Sequence, residues 1–582
     1  MRRLSAIGRR TRQCCACRSR ADPPAAASPS RVHFVGIGGA GLSPLASLAI
    51  HRGQQVSGSD MRLSDTVARL RDAGAVVSVG HSASNLDSGR LPDAVVVSSA
   101  VSGDNAEIEE ARRVGVPIYT RGAWLSRVTA EEGTEAVIAI AGTHGKTTTS
   151  ALLALALDAA LGLGGEADSG TTAIVGGDVP QFGPSGGGCK RGGTRFCVIE
   201  ADEYQRTFLA LRFTTAVLTN VEVDHVDAFA DARDVHEAFA SFARGPSTGA
   251  RPGALVVCGD DPGCRAVIRA LREAGADQPA PHPPRPCRRV VTYGFGRSCE
   301  WRAERLRPLP GGGTAFDVRW RAARLGRLSL RLGGEHNVLN ALAAVAACHT
   351  IRAPLPHGAL AFPKGVLSRV RPALAAFLGV ARRAELLGSA RLSPPSPSSS
   401  PSSLSRGVGA STVVVMSDYA HHPTEVRTTL RAVRRAKGGG GRRVVALFEP
   451  HTLSRLRHFA DDFATAFSHE GGECDAVFVA SVFEPGGGGK VRKEGRDGSG
   501  RDVAAQDVAA RIARAGGLPC ACVPDEGELV RCVAEDLVGY ANGGGDGREH
   551  GHGQVLVALG AGRADAIARR ILSALRSAAS SE

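Results

Sequence analysis

Short apolar runs alternate with stretches of helical periodicity along nearly the whole chain. Val32-His33-Phe34-Val35 reads as a buried strand, glycines and a helix-like run to His51 follow, and Gln55-Val56-Ser57 forms the next strand. Strands at 94–98 and 116–119, either side of a helix-like 106–114, complete a first α/β domain over 31–133. A second domain, 134–373, opens on Ala136-Val137-Ile138-Ala139-Ile140-Ala141, passes through a helix-like 151–157, and continues with strands at 196–199, 216–219 and 254–257. A third, 374–582, carries strands at 413–416, 444–448, 476–480 and 555–559 with helical runs between them. Uninterrupted apolar strands that alternate with helices predict mostly parallel sheets covered on both faces, so the fold class is α/β in three domains.

Three stretches fall outside this pattern. Residues 278–289 are proline-rich and read as a surface insertion, and 393–403 is a Ser/Pro low-complexity insertion predicted to be disordered. Residues 1–30 hold seven arginines against the single acid Asp22, and are otherwise rich in Ser and Ala. That composition reads as an organellar transit peptide. It also accounts for much of the formal +14 charge, and the remainder is only mildly basic. With 4% aromatic residues and no basic stripe interleaved with aromatics, nucleic acid is not an expected partner. No run of 18 apolar residues predicts a membrane span. The 14 cysteines are scattered, apart from Cys14, Cys15 and Cys17 in the leader, and read as single structural thiols.

Gly142-Thr143-His144-Gly145-Lys146-Thr147-Thr148-Thr149 follows the first strand of the second domain and precedes its first helix. Strand, glycine loop and helix N-terminus together make a phosphate cradle: backbone N–H groups and the helix dipole face the anion, Lys146 adds a point charge, and Thr147 can hold Mg²⁺. Only two residues separate Gly142 from Gly145-Lys146, where a general P-loop has four, so this is a shortened variant. Glu200-Ala201-Asp202-Glu203 also ends a strand, on the same side as this loop, where carboxylates can bind Mg²⁺. His225, in the loop after the 216–219 strand, has a place near the same ion.

In the first domain Gly36-Ile37-Gly38-Gly39-Ala40-Gly41 fits the dinucleotide fingerprint, with Asp60 near the end of the second strand. The chemistry requires only a diphosphate close to backbone, so the ligand stays open at this point. A nicotinamide oxidoreductase would explain this loop but not the shortened P-loop. Gly334-Glu335-His336-Asn337 stands at a helix start, with capping by Asn337 as the simpler alternative. Asp418-Tyr419-Ala420-His421-His422-Pro423-Thr424-Glu425 follows another strand and suits polar contacts to an anionic substrate. In Phe448-Glu449-Pro450-His451-Thr452-Leu453-Ser454-Arg455, Arg455 can clamp a carboxylate through a bidentate contact.

In this order these loops resemble those of the Mur ligases, the ATP-dependent amino-acid ligases of peptidoglycan synthesis. The resemblance covers nearly all of the chain after residue 31 and extends to Gly379-Val380-Ala381-Arg382-Arg383 and Gly560-Ala561-Gly562. It implies a Rossmann-like N-terminal domain, a P-loop central domain and a Rossmann-like C-terminal domain. The first would bind a UDP-sugar, with Gly36, Gly38, Gly39 and Gly41 at the diphosphate and Asp60 and His81 near the uridine. In the second, Gly142, Thr143, His144, Gly145, Lys146, Thr147 and Thr148 would hold ATP phosphates and Asn337 the adenine. Thr147 and Glu200 would take one Mg²⁺ and His225 a second, with Lys146, Glu200 and His225 carrying the catalysis. Tyr419, His421, His451 and Arg455 would face the amino acid and its acceptor. The members that join L-alanine to UDP-N-acetylmuramate match best, while a murein tripeptide ligase shares several of the loops. An implied peptidoglycan pathway makes the leader's destination a plastid, with a cytoplasmic location as the alternative.

Overall fold

The computed structural model describes residues 29–86, 89–130, 134–163, 170–183, 187–245, 253–276, 289–352, 363–392, 411–435, 442–468, 474–484, 503–541 and 553–580. Residues 1–28 of the expected leader, most of the proline-bearing stretch (278–288) and the whole Ser/Pro segment 393–403 lie outside the described residues.

Three sheets organise the chain. In the first, five parallel strands lie in the order Val76–Val79, Gln55–Asp60, Arg31–Val35, Ala94–Val97 and Ile118–Thr120. Chain order reverses on either side of Arg31–Val35, which makes the end of that strand a topological switch point. The Gly36–Gly41 loop leaves from there. Its following helix, Ser43–His51, buries Pro44, Leu45, Ala46, Leu48 and Ala49.

The second sheet has ten strands. Its centre is parallel: Ala254–Cys258, Thr215–Leu218, Ala136–Ala141 and Gly193–Glu200 lie side by side. Every residue of Ala136–Ala141 is buried, as expected of a strand covered on both faces. Lys146–Leu161 is apolar nearly all round because it too is enclosed, packing on the helices Glu335–Arg352 and Pro363–Ala376. Each fully buried Leu or Val here contributes about 1.5–3 kcal/mol of transfer free energy.

Beyond the parallel centre the structure adds a block unforeseen in the sequence: Trp301–Pro308, Thr314–Trp320 and Ala323–Leu330, an antiparallel extension at one sheet edge. Its strands bury Trp301, Phe316, Val318, Leu328 and Leu330 on one side and carry arginines on the other. Arg302 and Arg319 pair with Glu304, and Arg324 and Arg327 with Asp317, so a polar-looking segment still pairs as sheet.

The third sheet runs Glu385–Leu392, Ser411–Asp418, Gln554–Leu559, Arg443–Phe448, Ala476–Val479 and Cys520–Cys522, parallel except for the first pair. Alternation along Gln554–Leu559 divides its side chains between two cores: Val555, Val557 and Leu559 face one, Leu556 and Ala558 the other. Helices therefore cover both faces, as in the other parallel sheets. Among the described residues no helix is long and apolar enough to cross a membrane.

Parallel strands carry their functional loops at their carboxyl ends, and close packing fixes where those loops point. Gly263, in the helix Pro262–Ala276, illustrates this, because a Cβ there would sit 1.8 Å from Val221 O. The same turn holds Val221 N through Asp261 Oδ1 at 3.0 Å. Gly263→Ala should therefore cost about 1–3 kcal/mol by forcing helix and loop apart. A lower urea midpoint is the expected result, and an unchanged midpoint would contradict this contact.

Candidate active site

The shortened P-loop turns because two of its glycines adopt conformations closed to other residues. Gly142 has φ +139° and Gly145 φ +81°; a Cβ on Gly142 would lie 2.0 Å from Thr219 Oγ1, and one on Gly145 2.6 Å from Asn340 Oδ1. Asn220 then pins the loop, its carbonyl accepting from Thr143 N at 3.0 Å and its Oδ1 from His144 N at 2.8 Å. The helix Lys146–Leu161 starts at once, so its first N–H groups are left at the loop.

Lys146 Nζ donates to the carbonyls of Gly142 and Thr143, at 2.7 and 3.1 Å, and to both oxygens of buried Glu203, at 3.0 and 2.8 Å. Burial disfavours the ammonium, but Glu203, Asp202 and Glu200 outweigh it and raise the lysine pKa above its ordinary value. Thr147 Oγ1 donates to Glu200 Oε1 at 3.0 Å, and Gly176 N holds Glu200 Oε2 at 2.6 Å. His225, at φ +51°, brings Nε2 within 3.9 Å of both Glu203 Oε1 and Asp224 Oδ2. The residues expected to hold phosphate and metal are thus gathered at one end of one sheet.

The third sheet docks against that end. Arg455 is buried and sends Nε and Nη2 to Asp224 Oδ1, at 2.9 and 2.6 Å, while Nη1 reaches His451 Nδ1 at 2.9 Å. The carboxylate that Arg455 clamps in this structure is thus the chain's own Asp224, beside His225. Arg455 holds Asp224 well below the usual carboxylate range despite burial. Next to it, His421 Nδ1 donates to Tyr419 O at 2.8 Å, leaving Nε2 as an acceptor, and the His421 and His451 rings lie 5.2 Å apart. Burial pushes His421 down to about 4 and His451 to about 3, so both are neutral near pH 7. The guanidinium groups of Arg382 and Arg383 each stand 4.9 Å from the Tyr419 ring centroid.

A second charged contact crosses the same seam. His144 lies 2.6 Å from Glu222 Oε1 through Nε2 and 3.2 Å from Glu425 Oε1 through Nδ1. Burial opposes its charge, but the two carboxylates raise its pKa to about 10. Thr424 Oγ1 donates to Glu222 Oε2 at 3.0 Å, Arg383 Nη1 to Glu425 Oε1 at 3.3 Å, and His422 Nε2 to Val223 O at 3.2 Å. Sequence reasoning did not foresee the ion pairs of Glu222 and Glu425 with His144, nor that Glu203, expected only as an Mg²⁺ candidate, pairs with Lys146. Glu222 shares the loop of His225, and Glu425 ends the Asp418–Glu425 segment, but nothing local marks which distant cation each glutamate meets.

Between these bodies lies a cavity of about 260 Å³, lined among others by His144, Thr148, Asn337, Val380, Arg383 and Thr424. Asn337 sits inside the helix Glu335–Arg352, its Nδ2 donating to Gly333 O at 2.8 Å and its Oδ1 accepting from Asn340 Nδ2 at 3.3 Å, a side-chain donor and not a helix N–H. Apolar Val380 and the amide of Asn337 suit a flat heterocycle, and Thr148 lies towards the phosphate loop.

The first sheet brings together its own predicted residues. Gly36 N and Ile37 N donate to Ser59 O at 2.9 and 3.0 Å, and Gly38 N donates to Asp60 Oδ2 at 2.9 Å. Asp60 therefore shapes the glycine loop directly. Gly39 N closes the turn onto Gly36 O at 3.2 Å, Gly41 O accepts from Arg121 Nε at 3.1 Å, and His81 Nδ1 lies 3.0 Å from Ser59 Oγ.

Comparison with known proteins finds similarity along most of the chain. Residues 31–132 match the family model of the Mur ligase catalytic domain, 140–348 that of the Mur ligase middle domain, and 406–542 that of the Mur ligase glutamate ligase domain. The chain is 39% identical to a UDP-N-acetylmuramate–L-alanine ligase of Frankia casuarinae over 78% of this chain and 82% of that protein. A protein of the same name from Salinibacter ruber is 37% identical over 76% and 79%. Among solved structures, a UDP-N-acetylmuramate–alanine ligase of Thermotoga maritima superposes with TM-score 0.65 at 24% identity, covering 94% of this chain and 99% of its own. A murein peptide ligase of Psychrobacter arcticus has TM-score 0.59 at 22% identity, with coverage of 94% and 99%. These two likenesses concern the fold.

The His144 bridge has a pH signature. Its pKa is raised from 6.5 to about 10, so its stabilisation is complete below pH 6.5 and is lost as pH rises towards 10. His144→Gln should cost on the order of 2 kcal/mol near pH 6, less than a fully buried pair because Glu222 keeps 35% exposure, and almost nothing near pH 10. Urea denaturation across this range is the check, and a difference independent of pH would contradict the bridge.

Proposed function

The chain belongs to the Mur ligase family, and from that premise we propose that it joins L-alanine to the lactyl carboxylate of UDP-N-acetylmuramate with hydrolysis of ATP to ADP and phosphate. One observation carries the reading: His421, His451 and Arg455 of the third sheet meet the P-loop side of the second through Arg455–Asp224, beside His225. A nucleotide loop alone would serve any ATPase. A second polar set docked at its phosphate end suits a reaction in which a phosphorylated group meets a second substrate. Relatives at 34–39% identity that carry the name of the alanine-joining ligase support alanine as the amine.

A carboxylate resists attack by an amine because its leaving oxygen is too basic. Transfer of the γ-phosphoryl group removes that obstacle: a lactyl carboxylate oxygen attacks phosphorus, ADP leaves, and an acyl phosphate forms. The free amine of alanine then attacks the acyl carbon, the tetrahedral intermediate collapses, and phosphate departs. Lys146, already desolvated and charged, lies where phosphoryl oxygens accumulate negative charge, and the backbone N–H groups at the helix start add to this. To hold the triphosphate it exchanges part of its contact with Glu203 for phosphate oxygens.

Thr147 Oγ1 and Glu200, 3.0 Å apart, offer the hard oxygen donors that suit Mg²⁺, and His225 Nε2 beside Glu203 suits a second ion. When bound, Mg²⁺ offsets charge on the phosphate oxygens. On the other side, neutral His421 presents an Nε2 lone pair that can accept from the alanine ammonium or amine. His451, with Nδ1 engaged by Arg455, keeps an Nε2–H for an anionic oxygen. In the first domain the Gly36–Gly41 loop takes the UDP diphosphate, and Asp60 holds that loop in shape.

Protein lacking the leader should release phosphate from ATP only when Mg²⁺, UDP-N-acetylmuramate and L-alanine are all present. Lys146→Ala should lower that rate by about 10³-fold. Equal turnover with the tripeptide of murein in place of alanine, or phosphate release that ignores the amine, would contradict the reading.

A further inference from the structure

At the seam the ring of His144 stands 4.8 Å from that of His422, centroid to centroid, and Glu222 completes a group of three. One ligand atom from each lies within 4.8 Å of the other two. Zn²⁺ holding nitrogen and oxygen at about 2.0–2.1 Å sets tetrahedral ligands roughly 3.3 Å apart, so side-chain shifts of about 1 Å close the set. A hydrogen bond does not account for this grouping. His144 Nε2 lies 2.6 Å from Glu222 Oε1, yet off the line of a hydrogen bond, and no other partner among the described residues reaches this buried nitrogen. Its axis passes beside the carboxylate oxygen rather than into it.

The remaining polar atom of each side chain is held from outside the set. His144 Nδ1 meets Glu425 Oε1 at 3.2 Å, which leaves Nε2 to face Glu222. His422 accepts from Thr424 N at Nδ1, at 3.3 Å, and so donates from Nε2 to Val223 O at 3.2 Å. Its lone pair is therefore on Nδ1, engaged only by a long backbone contact. Glu222 Oε2 accepts from Thr424 Oγ1 at 3.0 Å, which leaves Oε1. A carboxylate behind one imidazole and a backbone carbonyl behind the other are the outer partners that fix the tautomer and aim of metal-bound histidines.

We propose that His144, Glu222 and His422 form a site for a borderline-soft dication, Zn²⁺, that staples the second sheet's loops to the third sheet's. Two imidazole nitrogens and one carboxylate oxygen suit Zn²⁺, whereas the oxygen donors of Thr147 and Glu200 suit Mg²⁺. Water takes the fourth position. On binding, His144 gives its Nε2 proton to solvent and keeps the Nδ1 proton on Glu425, so the ion replaces that proton between His144 and Glu222. His144 belongs to the phosphate loop, and His422 to the loop that follows Ser411–Asp418. An occupied site therefore fixes the spacing between the two bodies. The inference depends on no assignment of the amine or of the sugar nucleotide.

Co²⁺ takes the place of Zn²⁺ in such sites and reports its ligands in the visible spectrum. Titrated into the whole protein in excess Mg²⁺, which fills the oxygen sites, it should develop the intense d–d bands of a four- or five-coordinate ion. His422→Gln should lose these bands, and the difference between wild type and variant should lack thiolate charge-transfer bands, which sets the site apart from cysteines such as Cys14, Cys15 and Cys17. Equilibrium dialysis should show Zn²⁺ bound at least about 10-fold more weakly by the variant. Added Zn²⁺ should raise the urea midpoint of the wild type and leave that of His422→Gln in place. The weak spectrum of six-coordinate Co²⁺ alone, a spectrum and affinity unchanged in His422→Gln, or thiolate bands in the difference would overturn the proposal. A test independent of any variant uses ¹⁵N-histidine spectra of the wild type: His144 Nε2 and His422 Nδ1 should shift when Zn²⁺ is added, and resonances that stay in place would overturn the site.

Discussion

Charges removed from water must find partners, and at the seam between the second and third sheets those partners lie on the opposite body. Asp224 is answered by Arg455, and His144 by Glu425 as well as by Glu222. Removing one member of such a set leaves an uncompensated charge, which costs far more than the intact pair contributes. The seam is therefore specific in register. Arg455 can reach Asp224 only if the loop carrying His451 also stands beside His225, and Glu425 can reach His144 only if Arg383 stands at the cavity between the two bodies. Docking and site assembly are the same event.

Parallel-sheet architecture supplies the rest. Apolar strands buried on both faces bring the loops at their carboxyl ends to one edge, and in the second sheet that edge holds the P-loop, the Glu200–Glu203 turn and the Thr219–His225 loop. Close backbone approach at Gly142 and Gly145 leaves no freedom in how the loop meets Thr219 and Asn340. Lys146 is held in place by Glu203, a buried counter-ion from the same sheet. The first domain applies the same rule at smaller scale: Asp60 and Ser59, side by side at the end of one strand, shape the glycine loop and orient His81.

Much of this was legible in the chain. The strands 136–141, 254–258, 443–448 and 554–559 are short apolar runs, and their placement follows from that pattern alone. The shortened P-loop and the acidic turn after the 193–200 strand named their own chemistry. The antiparallel block from Trp301 to Leu330 was not legible, because its many arginines interrupt the apolar pattern of a strand, and their pairing with Asp317 and Glu304 appears only in the fold. Val76–Val79 is an edge strand of four residues, too short to show a period. Arg455 was recognisable as a carboxylate clamp, but its partner stands 231 residues away, and no local pattern encodes a pairing of that span.

In the proposed reaction the assembled seam serves carboxylate activation, and the released phosphate takes one oxygen from the acid substrate. UDP-N-acetylmuramate labelled with ¹⁸O in its lactyl carboxylate tests this most directly. Phosphate released during ligation to alanine should carry one ¹⁸O atom, transferred when the acyl phosphate is broken by the amine. Unlabelled phosphate, or label recovered in AMP, would contradict transfer of the γ-phosphoryl group to the carboxylate.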